Sequence, residues 1–340
     1  MRLADLDYEL PPELIAQEPA AERAAARLLV LAQASGHLTE ARVADLPRVL
    51  RAGDLLVLND TRVIPARLRG MRPSGGRVEL LLIRRLGPAS EWEVMARGSP
   101  RLGERLHLPN AEGEWLASLG DGRWRLRITT REEFDAWLTR VGEVPLPPYI
   151  RRAHGPSRVD GERYQTVYAR VPGAIAAPTA GLHLTPELLA GLATAGIEHA
   201  TLTLHVGPGT FLPIRTDDLE RFTMEGEYYD LPGATAERIA RTRAAGGRVV
   251  AVGTTTVRAL ESAARGEMLV PGPGNADLFI RPGHRFRAVD VLLTNFHLPR
   301  SPLLALVAAF AGWERLRAAY ATAVAERYRF YSFGDAMLIG

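Results

Sequence analysis

Five short segments gather the side chains best suited to proton transfer and hydrogen bonding. They are Asn59-Asp60-Thr61-Arg62, Thr179-Ala180-Gly181-Leu182-His183, the loop from His205 through Gly207 to Thr210, Gly253-Thr254-Thr255-Thr256, and Asn295-Phe296-His297. The chain has no cysteine, and all 42 of its basic residues are arginine. Thiolate and Schiff-base nucleophiles are therefore excluded, as is a phosphate-loop lysine. Acid–base work must fall to His, Asp, Glu or Tyr. His183, His205 and His297 are not spaced as metal ligands, and no carboxylate stands at a ligand-like interval from them, so no metal is expected.

The elements that would position these residues follow from the apolar pattern. Asp54–Leu58, Thr201–Val206, Arg248–Val252 and Asp290–Thr294 read as strands. Each runs directly into one of the polar segments. Helical patterns at Glu187–Ala195, Ala234–Ala245 and Val257–Arg265 lie between them, and an apolar helix opens at Ser301-Pro302. Alternating strands and helices predict parallel strands with crossover helices. In such folds the C-terminal strand ends share one edge, where ligands bind. Thr179, Gly181 and His183 are expected in a loop that empties onto a helix capped by Thr185 and opened by Pro186, a geometry that suits an anionic or polar ligand. Tyr164–Tyr168 alternates like a short strand. Tyr328–Met337 reads as a last strand, with Arg329, Tyr331 and Asp335 on one face.

Between Ala66 and Ile150 the texture changes. Short alternating runs separated by Gly, Pro and Asn, with Asp121-Gly122 as a hairpin turn, predict a small antiparallel β-barrel inserted into the larger unit. The expected division is residues 1–65 with 150–340, and 66–149. The insert holds 14 Arg against 11 acidic residues and the remainder 28 against 28, so the insert carries the whole net charge of +3. A linker rich in proline, Val144–Ile150, leads out of it to Arg151, Arg152, Arg158 and Arg163, an arginine cluster able to meet phosphates. The acidic start is not a secretory signal, and Pro302–Trp313 is too short to span a bilayer. Gly253–Thr256 lacks the lysine and spacing of a phosphate loop. No Gly-x-Gly-x-x-Gly follows a strand, which argues against a dinucleotide fold.

Eight runs together carry a resemblance: Gly53–Arg67, Pro145–Ile150, Tyr164–Ala169, Ala176–His183, Thr203–Gly207, Ala251–Thr255, Thr294–Pro299 and Tyr328–Met337. From near one end of the chain to the other it resembles the S-adenosylmethionine:tRNA ribosyltransferase-isomerase family. The resemblance implies a larger α/β barrel-like domain with parallel strands and crossover helices, plus the small inserted β-barrel. It implies transfer of the ribosyl part of S-adenosylmethionine to 7-aminomethyl-7-deazaguanine at the tRNA wobble position. The product is epoxyqueuosine, and adenine and methionine leave. S-adenosylmethionine is then a consumed substrate, and no cofactor or metal is expected. A monomer in the cytoplasm is expected, with tRNA as partner and no membrane. Two other functions share the same edge: a metal-dependent hydrolase, and a relative that binds tRNA without catalysis.

For that reaction His183 and His205 are the acid–base candidates, with Asp60, Glu227 and Asp335 as alternatives whose charge would also favour a sulfonium. Asn59, Thr179, Thr254 and Asn295 are candidate hydrogen-bonders to adenine, ribose or methionine. Gly181, Gly207, His297 and Tyr331 are expected in the same binding loops. Arg62, Arg151, Arg152 and Arg329 are candidate phosphate contacts. Three places depart from the family's usual pattern. Arg23-Ala-Ala-Ala-Arg27 stands for Arg-Asp-x-Ser-Arg. Phe222-Thr-Met-Glu-Gly-Glu227 stands for His-x-Met-His-x-Glu. The usual Trp before Asp-x-Phe-Ile is replaced around Asn275.

Overall fold

The structure, a computed structural model, describes residues 2–87, 90–211, 214, 216, 218–266 and 268–340, without the side chains of Thr210 and Phe211. The Thr210 side chain, at the end of the third polar segment, thus lies outside the described residues. In chain order, the strands and helices begin with β1 (Arg27–Leu31), β2 (Leu38–Arg42), α1 (Leu46–Val49), β3 (Leu55–Asn59) and β4 (Thr61–Val63). Six strands follow: β5 (Arg67–Met71), β6 (Arg77–Arg85), β7 (Glu91–Arg97), β8 (Arg105–Leu108), β9 (Ala111–Gly120) and β10 (Arg123–Thr130). Next come α2 (Phe134–Val141), α3 (Arg158–Arg163), β11 (Val171–Ala174), α4 (Pro186–Thr194), β12 (Glu198–Leu204), β13 (Glu227–Leu231), α5 (Gly233–Ala244), β14 (Val249–Val252) and α6 (Thr254–Ala263). The chain ends with β15 (Ala264–Arg265), β16 (Met268–Leu269), β17 (Gly272–Ala276), β18 (Val291–Asn295), α7 (Pro302–Ala311), α8 (Trp313–Ala325) and β19 (Ala336–Ile339).

Nine strands form one mixed sheet in the order β17-β13-β12-β3-β14-β18-β19-β1-β2. At its centre β12, β3, β14 and β18 run parallel to one another. Their sequences are nearly continuous apolar runs because both faces are covered. Alternation sorts each run into two layers. Leu55, Val57, Val249, Ala251 and Leu292 face one core with α6, α7 and α8. Leu56, Leu58, Val250, Val252, Val291 and Leu293 face the other with α4. Closure belongs to the smaller unit, where β10-β7-β6-β5-β8-β9 form a closed barrel. Leu80, Trp92, Trp115 and Leu126 fill that barrel, with Trp137 of α2 against them. Asp121 and Gly122 take positive φ, 48° and 75°, as a two-residue hairpin turn requires. Ile175 of the larger unit sits in the barrel's apolar core and ties the two together.

One expected strand is absent, and the expected last strand begins only at Ala336. Tyr164–Tyr168 is a turn after α3. The Gln165 amide bonds both backbone groups of Val63, at 3.1 and 3.2 Å, and so takes the place of a neighbouring strand beside β4. The aromatic run from Tyr328 is irregular until Ala336. Tyr331, at φ 69°, breaks the extended path. The Asp335 carboxylate accepts from the Arg27 and Arg329 backbone N–H groups at 2.9 and 2.7 Å and holds the bend closed. Pro12–Leu14 forms a single 3-10 turn.

Candidate active site

The parallel order of β12, β3, β14 and β18 puts Asn59, His205, Gly253 and Asn295 at one edge of the sheet, as their places after apolar strands predict. Two recesses open along that edge. The larger, about 1180 Å³, lies between the edge and the barrel. Arg62, His205, Gly207 and Glu227 line it from the sheet side, and Arg84, Arg85 and Trp92 from the barrel side. The smaller, about 70 Å³, is lined by Thr179, Thr254, Asn295, His297 and Tyr331. Val206 borders both.

In the large cleft His205 is held from three directions. Its Nδ1 lies 2.8 Å from Thr61 Oγ1. Its ring stacks on Tyr228 with centroids 5.7 Å apart. Its face rests on Gly173, where a Cβ would come within 2.7 Å of ring atoms. With Nδ1 engaged, Nε2 is the nitrogen left for chemistry. Burial lowers the imidazole pKa, against the opposing charge of Asp60. The ring is therefore neutral at pH 7 and can act as a base, and as an acid once it has taken up a proton. Asp60 itself stands behind the cleft. It pairs with Arg170 at 2.8 Å and accepts from Thr203 Oγ1 at 2.7 Å, which orders β11 against β4.

Glu227 is a buried titratable group of the cleft. Burial raises its pKa, while an ion pair with Arg258 and the Gly207 N–H at 2.7 Å pull the other way. Arg258 is almost wholly buried on α6 and also donates to the Ala276 carbonyl. Arg62 is exposed at the rim, and among the described residues it forms no ion pair.

His183 lies elsewhere. The Thr179–His183 segment is a 3-10 turn, and Thr185 caps α4 by accepting from the Leu188 N–H at 3.1 Å. Gly181 is required there, since a Cβ would strike the Tyr168 hydroxyl at 1.9 Å. Asn295 Nδ2 donates to His183 Nε2 at 3.2 Å. Burial, with Arg23 and Arg329 nearby, brings the His183 pKa down to about 4. His183 borders a minor recess with Arg23 and Phe333 and lines neither larger one. His297 is buried as well. Its Nε2 lies 2.8 Å from Thr294 Oγ1, and burial lowers its pKa to about 3.

Other predicted residues serve the frame. Asn59 bonds the Leu204 backbone N–H and carbonyl at 2.9 and 3.0 Å and locks β3 to β12. Arg152 pairs with Asp160 at 2.7 Å. Arg151 is exposed, and its N–H donates to Gln17. The Arg329 guanidinium donates to the Glu18 carbonyl. Among the described residues no group of three or more His, Cys, Asp or Glu is gathered as metal ligands would be.

Thr61, Arg170, Gly173, Tyr228 and Arg258 complete the site. The signal for Gly173 and Arg170 was their place within and just before Pro172–Pro178, a run of Gly, Ala and Pro with one Ile that has little side chain to pack. Arg258, one cation within an apolar helix face, offered none. Two of the three departures from the family pattern also fall here. Glu225 forms a two-pronged ion pair with Arg123 of the barrel, and the Asn275 amide occupies the space over Gly226.

Known proteins resemble this chain over nearly its whole length. A family model described as a queuosine biosynthesis protein matches residues 3–339. An S-adenosylmethionine:tRNA ribosyltransferase-isomerase of Anaeromyxobacter sp. (strain Fw109-5) is 56% identical over 344 residues, covering 100% of this chain and 99% of that one. A protein of the same name from Citrifermentans bemidjiense is 53% identical and covers 100% of both. The crystal structure of an S-adenosylmethionine tRNA ribosyltransferase from Thermotoga maritima matches with a TM-score of 0.58 at 38% identity, covering 99% of this chain and 100% of that one. The chain belongs to the queuosine biosynthesis protein family.

Proposed function

We propose that this chain transfers the ribosyl moiety of S-adenosylmethionine to 7-aminomethyl-7-deazaguanine at the tRNA wobble position. The ribose is isomerised to give epoxyqueuosine, and adenine and methionine are released. The observation that carries this reading is the cleft itself. A neutral histidine and a buried carboxylate face about 1180 Å³ of space between the sheet edge and the barrel. That is at or above the usual small-molecule range of about 300–1000 Å³ and leaves room for a nucleoside and a flipped-out base together.

In this reading His205 takes the proton, either from the attacking ammonium or from the carbon beside the sulfonium, whose positive sulfur acidifies it. General acid–base groups contribute about 10²–10⁴-fold. Glu227 offers its charge to the sulfonium, held by Arg258 so that it need not reorganise. Arg62 meets phosphate at the rim, with Arg151 further along the same path. Thr179, Thr254 and Asn295 hydrogen-bond the donor. Asn59, Asp60, Asp335, Arg152 and Arg329 keep the loops in place.

S-adenosylmethionine is consumed, and no metal or further cofactor takes part. The absence, among the described residues, of a helix long and apolar enough to cross a membrane is compatible with action on tRNA in the cytoplasm. The protein acts as a monomer. Residues 66–149 form one unit, and residues 1–65 with 150–340 form the other. The test is incubation with S-adenosylmethionine and tRNA bearing the aminomethyl base, with and without chelator. Adenine should form only with that tRNA and regardless of chelator. No adenine, or adenine abolished by chelator, would overturn the proposal.

A further inference from the structure

The small recess beyond Val206 has a polarity of its own. Its volume of about 70 Å³ holds about five water-sized groups at ~10–15 Å³ each. That matches an α-amino-carboxylate head group and is too little for adenine or a substituted ribose. Asn295 supplies one pole. It is 2% exposed, and its Nδ2 is committed to His183 and to the Tyr331 carbonyl at 3.1 Å. Tyr331 presents that carbonyl from a backbone held at φ 69°, a conformation that costs a bulky residue energy. The amide oxygen, Oδ1, is buried and has no partner among the described residues. An orphaned acceptor in a buried site is stabilised by an arriving cationic N–H group.

The start of α6 supplies the other pole. The helix has ten residues, Gly253, Thr254 and Thr255 line the recess, and no side chain caps the helix. Its first N–H groups have no acceptor within the helix and carry partial positive charge, which favours a carboxylate. Among the described residues no charged side chain lines the recess, and His297 is kept neutral there by burial. A ligand with a net charge would be buried uncompensated, whereas a zwitterion meets an acceptor at one pole and donors at the other.

We infer that this recess holds the amino-carboxylate end of methionine, first as the tail of S-adenosylmethionine and then as the departing product. The inference rests on the donor reading given above and narrows it: Asn295 and the α6 N-terminus grip the methionine end, while adenine and ribose stay in the large cleft.

Calorimetric titration with S-adenosylmethionine, with its decarboxylated analogue and with adenosine tests this directly. The analogue lacking the carboxylate should bind about tenfold or more weakly than S-adenosylmethionine. Asn295→Ala should weaken S-adenosylmethionine binding by a similar factor and leave adenosine unchanged. If that variant does not fold, the ligand series on the unaltered protein decides alone. Equal binding of S-adenosylmethionine and its decarboxylated analogue, with normal adenine release, would overturn the pocket assignment and leave the function standing. No binding of S-adenosylmethionine at all would remove both.

Discussion

Replacing Gly173 by alanine should disable the site while sparing the fold. The added methyl would lie 2.7 Å from His205 Cε1 and Nε2. Non-bonded carbons settle at about 3.5–4.0 Å, so the ring must retreat by about 0.8 Å or more. The retreat has to stretch or tilt the 2.8 Å contact between Nδ1 and Thr61 Oγ1. A misplacement of about 1 Å can cost on the order of 10²-fold in rate. Overpacking of this kind costs about 1–3 kcal/mol of stability, and alanine at the φ of 153° held by Gly173 adds backbone strain. Adenine release under saturating S-adenosylmethionine and tRNA gives kcat, and a thermal melt reports folding. We expect Gly173→Ala to lose about a hundredfold in kcat, to change KM for tRNA little, and to stay folded at the assay temperature. Thr61→Val, which removes the hydroxyl alone, should lose rate in the same direction with less effect on stability. A folded Gly173→Ala protein with full kcat would refute the assignment of His205.

Four further outcomes follow from the same geometry. Because burial lowers the His205 pKa below 6.5, kcat/KM should be flat near neutrality and fall only as pH drops below that value; a rate still rising through pH 8 would contradict a histidine base. His183 and His297 titrate at about 4 and about 3 in the folded chain but near 6.5 when unfolded. Their stabilisation is present above pH 6.5 and is lost as pH falls toward those values, at about 1.4 kcal/mol per unit and per group. The melting temperature should therefore begin to fall between pH 6.5 and 5, ahead of most carboxylates, and His297→Asn should flatten that slope. Arg258→Met leaves Glu227 buried without its cation and should cost about 3–5 kcal/mol in urea denaturation, where a loss under 1 kcal/mol would mean that the pair is dispensable. Gly226→Ala places a Cβ 2.1 Å from Asn275 Nδ2 and should destabilise the chain. Adding Asn275→Ala should restore most of the loss, a coupling that additive effects would disprove.

The sheet edge was legible because buried parallel strands write themselves as unbroken apolar runs and their loops carry the polar residues. Leu55–Asn59 followed by Thr61 and Arg62, or Val291–Asn295 followed by His297, need no partner to be recognised. The barrel was legible from its turns. What one-dimensional pattern did not carry is the division of that edge into two recesses. Val206 separates them only once β12 and the Ala174–Pro178 backbone are packed side by side. His183 and His205 look equivalent as loop histidines. Tertiary contacts give the first to Asn295 and the second to the cleft. Asp60 and Asp335 read as acids with nothing to neutralise them, yet Arg170 and two backbone N–H groups had claimed them. The lost strand at Tyr164–Tyr168 failed for a related reason, since a side-chain amide performs the pairing that a strand would.

The most direct test joins the chemistry to one atom. Purified chain and His205→Gln would each be incubated with S-adenosylmethionine and tRNA carrying the aminomethyl base. The tRNA nucleosides would be analysed by mass spectrometry and free adenine measured alongside. The unaltered chain should yield the ribosyl-derived nucleoside and adenine in equal amounts, and His205→Gln should bind both substrates yet form neither product. Equal product from both proteins would contradict the proposed role of His205 in the cleft.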